Sequence, residues 1–324
     1  MEIRRECQAL SFLILSDQIL LRRGGDIMKR VLNARSVFIF MFTVPTLALF
    51  SIFVLVPILN GLYYSFCQWN GLSTNIKFIG LDNYKRLIAD PIVWKALGND
   101  LKIAAIRLVF TVILSLGGAM LLTRAHVFFN KFFRNVLFFP VMLSVVVISN
   151  IWMMMYNPSF GVVTTVLKAV GIRTPDGGWL GDFTTALNAT IPPAIWCSVG
   201  FYMIIFISAI ETIPAELFES ATIDGASTLK QTTKIILPLL QPQINFCVIY
   251  STISSMNGSF LFVKLLTNGG PNNASEVMGT YMSTNAFTYH QFGYATAIAT
   301  LILLTTLLLS GVLNKIFKAQ AYEF

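Results

Sequence analysis

Along the chain, apolar positions gather into six runs of about 20 residues, at roughly 37–59, 101–122, 136–156, 190–210, 244–266 and 294–313, with the charged residues swept into the intervals. A run of that length carries an α-helix across about 30 Å of hydrocarbon. It is far too long for a barrel strand, and a backbone in lipid must satisfy its own polar groups. The pattern therefore predicts an all-α membrane protein built from six transmembrane helices.

Composition agrees: 55% of residues are hydrophobic, 12% are charged and the mean hydropathy is +0.70, whereas about a quarter of an ordinary soluble domain is charged. Orientation follows from Lys and Arg in the short connections. Arg124, Lys131 and Arg134 follow the second run, and Lys29, Arg30 and Arg35 precede the first. Both segments are expected on the cytoplasmic side. Six crossings then place the C-terminus, with Lys315 and Lys318, and residues 211–242 on that side too. Lys77, Lys85, Arg86 and Lys95 outnumber Asp82 and Asp90 in the outward segment and run against the rule.

The polar interval between the fourth and fifth runs contains ESATIDGASTLKQTTKIILPLLQP, Glu219 to Pro242. Thr212 is expected as a helix N-cap, with Pro214 in the first turn, Glu216 and Glu219 near the positive helix end, and Gly225 as the stop. A second helical turn should start at Ser227, and Pro242 should mark the return to the bilayer. A plain connector needs only a few residues, and this one has about thirty, a length that usually carries function.

The net charge of +8 is dispersed over loop ends and forms no basic stripe, so nucleic acid is not an expected partner. Cys7, Cys67, Cys197 and Cys247 are far apart and read as buried small apolar residues rather than a disulfide framework. His126 and His290 are the only histidines. A metal site or catalytic triad has little material, and neither metal-binding nor catalytic residues are assigned. No P-loop motif occurs, so the chain needs an ATPase from elsewhere if it uses ATP.

Residues 1–27 mix four basic and four acidic residues and lack a convincing signal-peptide core. They read either as a cytoplasmic amphipathic tail or as an artefact of start-site choice, and Met28, opening MKRVLNARS, is favoured as the true start. The expected organisation is a cytoplasmic N-terminal segment (1–35), a six-span domain (36–316) with the loop 211–242, and a cytoplasmic tail (317–324).

Glu219-Ser220-Ala221, Gly225 and Ile235-x-Leu237-Pro238 fall at the offsets E-A-A-x3-G-x9-I-x-L-P. This resembles the EAA loop of binding-protein-dependent ABC importer permeases; only Ser220 departs, as a small residue in place of Ala. Tyr63-Tyr64-Ser65-Phe66, FIGLDNYKRL (78–87), LLTNGGPNNAS (265–275) and FGYATAIAT (292–300) resemble the carbohydrate-uptake branch, including multiple-sugar, raffinose-type and maltose importers. The likeness spans about residues 36–313.

The resemblance implies a type I, MetI-like bundle in a bacterial or archaeal cell membrane, with both termini cytoplasmic. It implies a second related permease, two ATPase subunits that bind ATP and Mg, and an extracytoplasmic sugar-binding protein, with no cofactor on this chain. It also implies a coupling helix. Glu216, Glu219, Ser220, Ala221, Asp224, Gly225, Ile235, Leu237 and Pro238 are its expected contact and anchoring residues.

Runs three to six hold one charge, Lys264, which suits a neutral, hydroxyl-rich solute. Ser198, Phe201 and Tyr202 in the fourth run and Thr252, Ser255, Met256 and Ser259 in the fifth are the candidate substrate pathway, with helix packing as the alternative role for each. Arg107 is expected either to contact Asp100 or to snorkel outward. A secondary transporter or channel for a small polar solute is the competing class; it would need no EAA loop.

Overall fold

The computed structural model describes residues 37–124 and 130–317. The expectations for residues 1–35, for His126 and for the tail beyond Phe317 lie outside the described residues. The chain divides into two compact units, the first ending at Gly61 and the second running from Leu62.

Helix α1, Val37–Tyr64, has a mean hydropathy of 2.5 across its most apolar stretch, enough in length and apolarity to cross a membrane. Its helix widens at Ser51–Leu55, where the Val56 N–H bonds to the Ser51 carbonyl. Pro57 follows at once and has no N–H to give. The same device recurs at Thr232–Ile236, where Leu237 N–H reaches the Thr232 carbonyl just before Pro238.

From Leu62 onward, strands Cys67–Gln68 and Lys77–Phe78 pair antiparallel, with Cys67 opposite Phe78. Helix α2, Asp82–Ala89, follows. Helix α3, Pro91–Arg124, starts ten residues before the expected run. Its start has a local cause: the Asp90 carboxylate accepts the Ile92 N–H at 2.9 Å, and Pro91 occupies a first-turn position where a missing N–H does no harm.

The third run, expected at 136–156, holds a sharp break. Helix α4, Asn130–Phe138, tightens into a 3-10 turn at Phe139–Met142, which contains Pro140. The backbone extends at Leu143, and Ser144 caps a new helix α5, Val145–Met155, by accepting the Val147 N–H. The two arms are bent by 104°. Five described helices are thus long and apolar enough to cross a membrane, or six crossings if the bent pair makes one.

Helix α6, Val162–Ala169, and short turns lead to α7, Ile191–Glu211. Helix α8 is Ala215–Ile223, and α9 is Gln241–Leu266. Short α10, Met278–Ser283, precedes α11, Phe292–Ile316.

Apolar side chains gain little from leaving lipid for another helix, so close backbone approach and dispersion hold such a bundle. Gly200 of α7 shows the principle: a Cβ there would overlap the Leu137 carbonyl and sit 2.8 Å from Phe138 Cα, so only Gly lets α7 cross the end of α4. One buried cluster joins Ala119 and Leu122 of α3, Met203, Phe206 and Ile210 of α7, Ile236 and Leu240 of the connector, and Cys247 of α9. A second joins Leu87, Val93, Ala96, Met278, Tyr294 and Ile298, tying α2, α3, α10 and α11. Where α11 begins, Gly293 lies so close to the Cys67 carbonyl that no Cβ fits.

Candidate functional site

The connector between α7 and α9 projects a short helix away from the clusters. In α8, Glu216, Glu219 and Ser220 are exposed and Ala221 is half-buried. Gly225 stops the helix with φ of +73°, a left-handed conformation natural to glycine. The Ala226 N–H bonds to the Ala221 carbonyl at 2.8 Å and the Gly225 N–H to the Thr222 carbonyl at 3.0 Å, the paired bonds of a Schellman end. Ser227 then accepts the Lys230 N–H and starts the second turn, Thr228–Gln231.

One expectation is corrected here. Thr212 does not cap α8; it terminates α7, and its hydroxyl donates to the Ala209 carbonyl. Helix α8 begins one residue after Pro214, which takes the cap position without a side-chain bond. Because Thr212 still lies on the turning end of α7, its hydroxyl finds a carbonyl behind it, not an N–H ahead.

The two halves of the matched pattern occupy different environments. Glu216, Glu219, Ser220, Asp224 and Gly225 face solvent, whereas Ile235, Leu237 and Pro238 are half-buried beside Ile236, which is buried in the α3–α7–α9 cluster. The first half presents a surface and the second anchors it to the spans. Ile223 is 86% exposed and Leu229 74%, apolar area on a polar connector. Phe218 packs on the buried cluster and ties α8 itself to it.

Between α7 and α9 lies a cavity of about 170 Å³ lined by Cys197, Ser198, Phe201, Tyr202, Tyr250 and Ser254. Three of the seven pathway candidates, Ser198, Phe201 and Tyr202, meet there. Thr252, Ser255, Met256 and Ser259 are buried elsewhere along α9 and do not line it. Thr252 donates to its own helix at the Val248 carbonyl, and Ser259 donates to Asp100. The Ser255 hydroxyl has no partner among the described residues. Cys197, Tyr250 and Ser254 complete the cavity. Sequence spacing held part of that signal, since Phe246 and Tyr250 are one helical turn apart and their rings stack at 5.7 Å and 11°. Phe201 continues the aromatic row at 5.8 Å from Tyr250.

Arg107 neither contacts Asp100 nor snorkels outward. It is buried; Nη2 donates to Ser198 Oγ at 2.8 Å, and Nη1 points at the Ser254 carbonyl at 3.5 Å. Asp100 is also buried, and its carboxylate accepts the Ser259 hydroxyl at 2.6 Å and the Met278 N–H at 2.8 Å. Seven residues apart, the two charges share a face of α3, but two turns of rise, about 10 Å, separate them.

At the other end of α3, Asp90 gathers the hydroxyls of Tyr281 at 2.6 Å and Tyr294 at 2.8 Å. Arg86 lies 3.9 Å over the Tyr294 ring and donates to Gln291. Partial burial works to raise the Asp90 pKa, but the two tyrosine hydroxyls, the Ile92 N–H and the Arg86 charge outweigh it and hold the carboxyl below its usual range. Asn99 secures the neighbouring loop by donating to the carbonyls of Ala274 and Glu276.

Residues 111–320 match the family described as "Binding-protein-dependent transport system inner membrane component". The chain is 37% identical over 294 residues to "Probable ABC transporter permease protein YurN" of Bacillus subtilis (strain 168), covering 90% of this chain and 100% of that one. It is 33% identical to "Diacetylchitobiose uptake system permease protein NgcF" of Streptomyces coelicolor, covering 89% and 85%. Among solved structures, a chain of a bacterial ABC transporter involved in import of the acidic polysaccharide alginate superposes with a TM-score of 0.76 at 23% identity, covering 88% and 96%, a likeness of fold. A family match over most of the chain, with helices of membrane-spanning length, makes this protein a member of the binding-protein-dependent transport system inner membrane components, a multi-pass permease subunit and not an enzyme.

Proposed function

We propose that this permease moves a sugar or oligosaccharide from an external binding protein into the cytoplasm by ATP-driven alternating access. The observation that carries the reading is the exposed half of the EAA pattern, Glu216 to Gly225, on a connector whose Ile235–Pro238 half is anchored among α3, α7 and α9. A partner that pushes α8 pushes those spans. The sugar reading draws on the carbohydrate-branch segments of the sequence and on the printed name of the NgcF relative.

In this reading both termini and α8 face the cytoplasm. A second related permease completes the pathway, and two ATPase subunits that bind ATP and Mg dock against α8. Glu216, Glu219, Ser220, Ala221, Asp224 and Gly225 form the joint; Ile235, Leu237 and Pro238 transmit its movement. Closure of the ATPase pair rocks the spans as rigid bodies between inward- and outward-facing states. The solute passes Ser198, Phe201 and Tyr202, whose aromatic faces suit a sugar ring. Thr252, Ser255, Met256 and Ser259 back that path from within the bundle.

Proteoliposomes holding this chain with its partner permease, ATPases and binding protein test the reading. Binding-protein-stimulated ATP hydrolysis and ATP-dependent accumulation of a labelled oligosaccharide are expected. Accumulation driven by an ion gradient without ATP would favour a secondary transporter or channel.

A further inference from the structure

Arg107 is 5% exposed, lies near the middle of α3, and has no counter-charge. None of the ion pairs among the described residues includes it. Its Nε has no hydrogen-bond partner among them, and its two other contacts go to neutral oxygens, one of them at 3.5 Å. Asp100 is committed to Ser259 and Met278 two turns away. Gly258 of α9 leaves room beside the guanidinium: even a Cβ there would sit 3.6 Å from Nη1. A buried, unbalanced cation is strongly unfavourable in a bilayer, and such residues face a partner or a solute path.

The two residues that Arg107 touches, Ser198 and Ser254, are both wall residues of the α7–α9 cavity. The cation therefore stands directly behind that wall, while the rings of Phe201 and Tyr250, 5.8 Å apart, line the same cavity. We infer that this cavity is a subsite for the carboxylate of an acidic sugar, with Arg107 supplying the balancing charge and the aromatic row holding the ring. The Ser198 hydroxyl, now donating to the Ala194 carbonyl, can turn to the carboxylate while still accepting from Arg107. One cation balances one carboxylate; a phosphate monoester brings about −1.5 to −2 and would be left in excess. Pockets for drug-sized ligands run to about 300–1,000 Å³, so this one takes a single ring and not a chain. The inference rests on the sugar-importer reading and departs from the neutral solute that runs three to six suggest, because the cation, Arg107, comes from the second run and packing carries it to the cavity wall.

Cys197 is a native reporter on the cavity wall, and Cys67 and Cys247 are buried. In an assembled importer with Cys7, Cys67 and Cys247 replaced by Ala, and with each rate divided by that reagent's rate with a free thiol in solution, a sulfonate-bearing methanethiosulfonate should label Cys197 about tenfold faster than its trimethylammonium counterpart. The ratio should fall to near one in Arg107→Gln and persist in Arg107→Lys. Because Arg107 also changes thiol reactivity toward both reagents alike, only the ratio is read. Glucuronate should slow labelling at concentrations where glucose and glucose 6-phosphate do not. Equal rates for the two reagents, or an unchanged ratio in Arg107→Gln, would overturn the subsite. Better protection by glucose or by glucose 6-phosphate would overturn the carboxylate assignment. If Arg107→Gln does not assemble, the parent's ratio and the protection series decide alone. Binding-protein-stimulated ATP hydrolysis in the same preparation separates the two readings: with it intact and no anion preference, only the subsite fails.

Discussion

The Ser259 hydroxyl donates to the buried carboxylate of Asp100 at 2.6 Å, joining α9 to α3. Among the described residues Asp100 has one other partner, the Met278 N–H, so the same carboxylate also orients α10. Ser259→Ala removes one of two bonds to an acid. Hydrogen bonds between membrane helices average about 0.6 kcal/mol, and those to charged groups reach about 1.5–3 kcal/mol. A loss of about 1 kcal/mol is expected, read as a lower unfolding temperature in detergent with solute preference unchanged. Asp100→Ala should cost more, because it strands both the Ser259 hydroxyl and the Met278 N–H. An altered solute range in Ser259→Ala at unchanged stability would instead place Ser259 in the path.

The Asp90 cluster gives a pH dependence. Its carboxyl pKa is lowered from 3.8 in the folded protein, so the folded state favours the ionised form. That stabilisation is full above about pH 3.8 and is lost as pH falls through the folded value below it. Unfolding temperature should therefore drop more steeply on acidification in the parent than in Asp90→Asn, in buffers from pH 6 to pH 3. Parallel curves would show that Asp90 gains nothing from Tyr281 and Tyr294.

At Gly225 nothing lies within 4 Å of a built Cβ, so steric crowding is absent and only the backbone conformation resists substitution. Gly225→Val forces a β-branched residue into the left-handed region, at a cost of roughly 1–2 kcal/mol or more, and should shift or fray the end of α8. Asn tolerates that region, so Gly225→Asn should retain most function. ATP hydrolysis without uptake is the expected phenotype of the valine variant. Normal coupling in Gly225→Val would mean that the end of α8 need not be fixed.

The apolar runs and the end of α8 were legible because their signals are local. Length and apolarity mark the spans, and a glycine followed by Ser227 marks the end of one helix and the start of another. The bend in the third run was not legible, because Pro140 and Ser144 sit inside an unbroken apolar stretch that reads as one helix by hydropathy. Nor could composition sort the serines and threonines of α9. Which hydroxyls face the cavity and which face α3 depends on how α9 is rotated, and its polar residues lie on several sides. Arg107 and Asp100 were visible as a seven-residue spacing, but their partners, Ser198 and Ser259, come from two other helices that only packing brings alongside.

The account rests on α8 as the joint through which nucleotide-driven movement reaches α7 and α9. A cysteine at exposed Ser220, in a chain without its native cysteines, tests this most directly when paired with cysteines across the ATPase surface in the assembled importer. The account predicts a disulfide between Ser220→Cys and the ATPase whose yield changes between the nucleotide-free and ATP-bound states, and whose formation blocks uptake until reduced. Absence of any crosslink in either state, with transport intact, would contradict it.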